Sequence, residues 1–344
     1  MIVQTPHPVL PPFSDETLCG MVELIGAEAT LEKIKAREAL IETDALDPFR
    51  SQLEPDCWRE ADEMLHDPEV RIVALFGVNR GGKSWYAAKR LMQSAAARKG
   101  TFMALRDTLD SNRDVLQPIM WHFFPREWKA LNNPRATMTT AISYSLKSGF
   151  TDGRVVLPNR SLLTFNAYLQ NADNYEGYEF GAESHEPCLG VWCDENMTLQ
   201  WLNMLSRRIK FSKAKLLWTY TPIHGVSAAM KEFLGKAPRY LRSKVAELLP
   251  SAQVPGLPRG HMPTLAIPFM KESRALWWHL GSSPYKDYTA SVRRQCEGKS
   301  SEYVQRVGYG YAVDSAMQAF LMFGSVNVFG DHHGDTDGTE KGKA

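Results

Sequence analysis

The chain has almost no net charge, no paired cysteines and no long apolar run, and each absence removes a class of protein. Lys and Arg number 40 against 39 Asp and Glu, a formal charge of +1. That is not the strongly basic balance of a protein that grips nucleic acid alone through many phosphate contacts, so any DNA contact is expected to be local, transient or shared among subunits. The five cysteines (Cys19, Cys57, Cys188, Cys193, Cys296) are odd in number and include no C-x-x-C pair, which disfavours a disulfide framework or zinc ribbon and fits reduced thiols in a cytoplasm. No stretch reaches the roughly 18 to 20 uninterrupted apolar residues that cross a bilayer. The Pro- and Thr-containing N-terminus has no basic segment leading into an apolar one, so secretion and membrane insertion are both disfavoured. With 344 residues, 44% of them apolar, the expectation is a folded soluble protein of one large domain or two ordinary ones.

Against that plain background one motif stands out. Gly77-Val78-Asn79-Arg80-Gly81-Gly82-Lys83-Ser84 matches the phosphate-binding pattern G-x-x-x-x-G-K-[ST] and follows directly on the apolar run Arg71-Ile72-Val73-Ala74-Leu75-Phe76. A triphosphate needs a backbone that curls around it with N–H groups pointing inward, and glycines permit the curl because they carry no Cβ. Lys83 is then the cation for the β- and γ-phosphate oxygens and Ser84 the hydroxyl for Mg²⁺. The helix predicted from Ser84 through Met92 aims its positive N-terminus at the phosphates. Gly77, Asn79, Arg80, Gly81 and Gly82 complete the expected cradle for ATP.

The surrounding pattern alternates strand and helix. Ser14-Asp15-Glu16 offers a cap for one helix running to about Thr43, and a second helix is predicted over Asp56 to Leu65, ending before Asp67-Pro68. Beyond the phosphate loop, Thr101 to Arg106 suits a buried parallel strand. Residues 152 to 168 predict a hairpin around Pro158-Asn159-Arg160. Leu189 to Cys193 and Leu216 to Tyr220 are further core strands around a helix from Leu199 to Phe211. Helices are predicted again around 271 to 280 and 285 to 308. The domain boundaries expected are 1–66 for a helical N-terminal preface, 67–225 for the core, 226–330 for a lid or linker, and 331–344 for a disordered tail. Such alternation predicts the α/β class, with a parallel central sheet covered by helices.

The third core strand ends in Asp194-Glu195, roughly 110 residues after the loop and at the carboxyl end of a strand, where ligands of open α/β sheets sit. Asp194 is placed to hold Mg²⁺ through a water, and Glu195 to orient and polarise the attacking water. The next strand ends in Thr219-Tyr220-Thr221-Pro222, where a hydroxyl can sense the γ-phosphate and pass its state onward. Positive charge beyond Lys83 is expected from Arg80, with Arg207 and Arg208 as further choices.

In this order the motifs resemble the ATPase domain of tailed-phage terminase large subunits. The loop with Asn79-Arg80, the strand end Leu105-Arg106-Asp107-Thr108, the stretch Tyr175 to Phe180, the pair Asp194-Glu195 and Thr219 to Pro222 carry the resemblance, which spans about residues 50 to 330. It implies an additional-strand, RecA- and terminase-like P-loop NTPase fold with a helical preface and a small C-terminal helical lid. It implies an ATP- and Mg²⁺-dependent motor that drives double-stranded DNA into a procapsid. Lys83, Glu195 and Arg80 would be catalytic, Ser84 and Asp194 would serve the metal, and Thr219 and Thr221 would couple hydrolysis to movement. The implied partners are double-stranded DNA, the portal protein, a small terminase subunit and further copies of the chain in a ring. The implied place is the host cytoplasm, transiently on the portal and not in the mature virion.

Two departures from the family pattern bear on chemistry. The glutamine that the family places upstream of the loop to read adenine has no counterpart in Glu54 to Arg59; only Gln52 is near, and Trp58 is the alternative, stacking on the base. The family's RNase H-type nuclease domain is not expected in this chain, so cleavage would come from a separate nuclease polypeptide or from sequence beyond this piece. Asp331-His332-His333-Gly334-Asp335 lies in a Gly-interrupted tail that offers no fixed metal geometry. The clusters Trp121-His122-Phe123-Phe124 and Trp277-Trp278 are expected in the core or at subunit contacts. The competing functions are a helicase-like or recombination ATPase and an ATP-binding assembly scaffold with negligible turnover. A small-molecule kinase fits less well, because the insertion over about 109 to 188 is unlike a compact acceptor lid.

Overall fold

A computed structural model of the chain describes residues 15–51, 53–79, 81–129, 141–223, 225, 227–234, 241–242, 272–278, 294–300, 303, 306–307 and 310. Two helices come first, α1 (Asp15–Ile25) and α2 (Ala27–Leu46). Gly26 between them has φ 85°, a left-handed turn that breaks the single helix predicted over this span. α3 (Asp56–His66) follows, then β1 (Ile72–Gly77), α4 (Lys83–Ala97) and β2 (Gly100–Arg106). After β2, Thr108 caps the short turn α5 (Leu109–Ser111), which runs through a π-helical turn (Asn112–Leu116) into α6 (Gln117–His122). β3 (Arg154–Val156) and β4 (Leu162–Ala167) form the antiparallel hairpin read from the sequence. The remaining elements are β5 (Gly181–Ala182), β6 (Cys188–Asp194), α7 (Leu199–Ser212), β7 (Ala214–Tyr220), α8 (Ala228–Leu234), β8 (Leu241–Arg242) and β9 (Ser273–Trp278).

The chain is a mixed α/β protein whose central sheet is mostly parallel. Among the described residues the strands run in the order β3-β4-β2-β6-β7-β1-β9-β8, with β5 added antiparallel to β2. Every residue of β1, β6 and β7 is buried, as expected of parallel strands covered on both faces. Alternation along β1 sorts the two cores. Ile72, Ala74 and Phe76 join Trp201, Leu205, Met230 and Phe233 of α7 and α8 on one face, while Val73 and Leu75 join Trp58, Tyr86 and Leu91 of α3 and α4 on the other. Each fully buried Val, Leu, Ile, Phe or Met side chain among these contributes roughly 1.5–3 kcal/mol relative to exposure. No helix among the described residues is long and apolar enough to cross a membrane.

One expectation is overturned here. Residues 273–278, predicted within a helix over 271–280, form β9, which pairs in parallel with β1 from Ile72 opposite Ser273 to Gly77 opposite Trp278. Pairing with β9 satisfies backbone groups that β1 would otherwise present as an open edge. The segment expected to be a helical lid therefore supplies two strands to the sheet. The tail over 331–344 and most of the stretch expected to be a lid or linker, including residues 243–271, lie outside the described residues.

β1 and β9 approach so closely at their ends that no side chain fits between them. A Cβ on Gly77, at φ 140°, would stand 1.7 Å from the carbonyl oxygen of Trp278. Gly310, at φ 71°, lies over the next residue; its Cβ would stand 2.3 Å from Val78 N, and its carbonyl accepts Trp277 Nε1 at 3.1 Å.

A half-buried ionic cluster ties α3 to α4. Arg90 donates from Nε to Asp62 at 2.7 Å, from Nη1 to Glu54 at 2.8 Å and to Gln93 at 2.9 Å, and from Nη2 to Glu54 at 2.6 Å and to Asp62 at 2.5 Å. All five guanidinium N–H groups are thereby used, in a geometry that only the planar fork supplies. Arg90→Lys keeps the charge and loses the fork. It is expected to cost roughly 1–3 kcal/mol, read as a fall of several degrees in a thermal melt.

Candidate active site

The carboxyl ends of β1, β7, β6 and β2 lie side by side in the sheet, and four sequence motifs therefore converge there. β1 feeds the loop that leads into α4, whose N-cap Gly82 takes the left-handed φ of 84°. The first turn of α4 carries no side-chain cap and no acidic residue, so its leading N–H groups form a seat suited to an anion. Lys83 is 6% exposed and folds back on its own loop. Its ammonium donates to Val78 O at 2.6 Å, to Gly77 O at 3.3 Å and to Thr221 Oγ1 at 3.0 Å. These three oxygens are the partners that phosphate oxygens would have to replace. Asn79 is exposed at the loop's tip. Arg80, expected to be catalytic, lies outside the described residues.

Asp194 ends β6 at 1% exposure. Its Oδ1 accepts the Ser84 hydroxyl at 2.9 Å and the Thr219 hydroxyl at 2.6 Å, and its Oδ2 accepts Arg106 Nη1. The Thr219 hydroxyl in turn accepts Trp192 Nε1 at 2.8 Å, and Tyr168 OH donates to the Asp194 carbonyl at 3.0 Å. A carboxylate and a hydroxyl from separate elements, brought within a hydrogen bond of each other beside an uncapped helix N-terminus, are the donor set that a hard divalent cation bound with phosphate takes. Ser84 and Asp194 thus fit Mg²⁺.

Glu195 leaves the strand with φ 63°, a left-handed backbone uncommon for any residue but glycine. The turn is pinned by its N–H donating to Thr219 O at 2.7 Å and by its carbonyl accepting Trp218 Nε1 at 2.8 Å. Its carboxylate accepts the Thr221 N–H at 3.3 Å. Thr221 therefore links the two groups, its hydroxyl accepting a hydrogen bond from the Lys83 ammonium and its amide donating one to Glu195. Burial, and then the neighbouring Asp194 charge, push the Glu195 carboxyl up to about 7. Burial likewise draws the Lys83 ammonium down to about 8, against the pull of Glu195 and Asp194. A carboxyl so placed can accept a proton near neutral pH.

Other expected residues are placed elsewhere. Trp58 cannot stack on a base: it is 2% exposed, edge-on to Tyr86 at 5.5 Å, with Arg90 over its ring at 5.8 Å. Glu54 is committed to Arg90 and Lys89. Arg207 and Arg208 lie in the second half of α7, roughly 12 Å or more along the helix from its start; Arg207 is 66% exposed and paired with Glu176 at 3.4 Å. They are not part of the site around Asp194. Trp277, Trp278, Phe123 and Phe124 are core residues, as expected.

Arg106 was not among the predicted site residues, although the site is built around it as much as around Ser84. The available signal was its position: an arginine closing an apolar strand at the same end of the sheet as the acids.

No known family pattern and no curated protein matches the chain. Among solved structures, the large terminase ATPase domain of Thermus phage P74-26 is similar over 71% of this chain and 89% of that one, with a TM-score of 0.42 and 14% sequence identity. A likeness at that level carries no argument about chemistry, which rests on the residues above.

Glu195→Gln tests the electrostatics directly. A raised carboxyl contributes stability that is fully present below the ordinary carboxylate range and is lost as pH rises through about 7. The permanently neutral variant should melt close to the parent at about pH 4.5 and be more stable by on the order of 1–3 kcal/mol at about pH 8.5.

Proposed function

We propose that this chain binds ATP with Mg²⁺ and hydrolyses it. The observation that carries the proposal is the meeting of Ser84 and Asp194 at 2.9 Å, beside a buried Lys83 and a pinned Glu195. In this proposal the phosphate-loop amides and Lys83 hold the β- and γ-phosphates, while Ser84 and Asp194 hold the cation, directly and through water. When bound, Mg²⁺ supplies charge that neutralises the phosphate oxygens. Glu195 accepts the proton of the attacking water, and its depressed acidity suits that task at neutral pH. Thr221 reports the exchange: once Lys83 turns from its hydroxyl to phosphate, the link between the lysine and the base is broken at the start of the segment leading to α8.

The presence of β7 between the phosphate-loop strand and the acidic strand supports the additional-strand class of P-loop NTPase. The order of motifs along the chain supports the finer proposal that the ATPase is the motor of a phage DNA-packaging terminase, working as a ring on a procapsid portal. A near-neutral subunit is compatible with that role, because a ring divides its DNA contacts among its members.

The test is steady-state ATP hydrolysis by the purified protein, with and without linear double-stranded DNA and an empty capsid bearing its portal. Turnover is expected to rise with both additions and to fall by about 10²-fold or more in Lys83→Ala and Glu195→Ala. Full turnover in Lys83→Ala would remove the site assignment. Stimulation by single-stranded DNA alone would favour a helicase-like enzyme, and binding without turnover a nucleotide-dependent scaffold.

A further inference from the structure

Asp194 is a buried carboxylate with another carboxylate next to it in the chain, and such a group needs a compensating cation in the nucleotide-free protein as well as in the loaded one. Lys83 does not supply it, because its three donors are spent on Gly77 O, Val78 O and Thr221 Oγ1. The cation in contact is Arg106, from the end of β2, the strand adjacent to β6. The carboxylate is divided between two kinds of partner. Oδ1 takes the hydroxyls of Ser84 and Thr219, and Oδ2 takes Arg106.

The Arg106 side chain is 17% exposed. Among the described residues its Nε is buried without a hydrogen-bond partner. Among the described residues its one ion pair is with Asp194, and its charge also acts on Glu195. A guanidinium held by a single carboxylate, with donors to spare at the phosphate end of a parallel sheet, is poised to change partners.

We propose that Arg106 is a positioning residue that stands in for the divalent cation, aiming Asp194 at Ser84 before the nucleotide arrives and giving up that carboxylate when the metal–nucleotide binds. The proposal rests on the ATPase function above and extends it. Arg106 and Mg²⁺ are then competitors for one buried carboxylate. Loading the site requires the arginine to be displaced, which frees a cation beside the phosphates at the moment the metal arrives.

The experiment measures the Mg²⁺ concentration that half-saturates ADP binding to the full chain, for the parent, Arg106→Gln and Arg106→Lys, with metal-free ADP affinity as reference. Removing the competitor should lower the Mg²⁺ half-saturation in Arg106→Gln by about five- to tenfold. Metal-free ADP affinity should be little changed. Arg106→Lys keeps a charge but not the fork, so it should shift in the same direction by a smaller factor. In thermal melts without nucleotide, Arg106→Gln should melt below the parent, and Mg²⁺ alone should restore it. A purely structural arginine would lower the melt without moving the Mg²⁺ dependence. An unchanged or raised Mg²⁺ half-saturation in either variant overturns the proposal. If Arg106→Gln does not fold, the lysine variant decides alone. Failure of the parent to bind ADP or ATP at any Mg²⁺ concentration would instead sink the ATPase function, so the two failures are distinguishable.

Discussion

Everything at the functional end of this molecule is arranged around the Asp194 carboxylate. A single buried anion gathers a hydroxyl from α4, a hydroxyl from β7 and a guanidinium from β2, while Tyr168, just past β4, holds its carbonyl. Leaving such a charge unpaired would cost several kcal/mol, so the partners are required for folding as well as for chemistry. The consequence is geometric. The four strands β4, β2, β6 and β7 and the helix after β1 are fixed in relative height by contacts to one residue, and the phosphate loop inherits that placement.

The same economy governs the pair formed by Lys83 and Glu195. Neither is free, and Thr221 stands between them with its hydroxyl turned to one and its amide to the other. Burial pulls both groups toward neutral charge. In the proposed function, a ligand bringing phosphate and a metal would replace protein partners one for one: carbonyls and a hydroxyl at Lys83, a hydroxyl and a guanidinium at Asp194. Preorganisation here means that polar groups are already dry and already paired, so binding exchanges partners and leaves solvation largely unchanged.

Much of this was legible in the sequence. The phosphate loop, the acids and the threonines carry their chemistry in residue types at fixed spacing, and the buried strands announce themselves as short apolar runs. The hairpin of β3 and β4 was equally plain, with Pro158-Asn159-Arg160 between two apolar segments. β9 was not, because Ser273 to Trp278 is a short run that suits a helix or a strand equally; only its pairing with β1 decides. β8, with two residues, leaves no periodic signal. Trp58 misled for a related reason: an aromatic ring near the loop suggests stacking, but its burial beneath Arg90 depends on contacts across α3 and α4 that local pattern does not encode. Arg106 was hidden because an arginine at the end of a strand is ordinary until the neighbouring strand is known.

The seating of Gly77 and Val78 against Trp278 and Gly310 bears on how divisible this protein is. Every motif of the candidate site lies before the end of the segment Thr219 to Pro222, so a short fragment ending there looks complete on paper. In space it is not. Cutting away the later chain would strip β9 from β1, leave a flat apolar edge open to other strands, and remove the backbone that presses on the loop from above. The unit that carries the candidate site, defined by what it needs to fold, reaches far beyond its last recognisable motif.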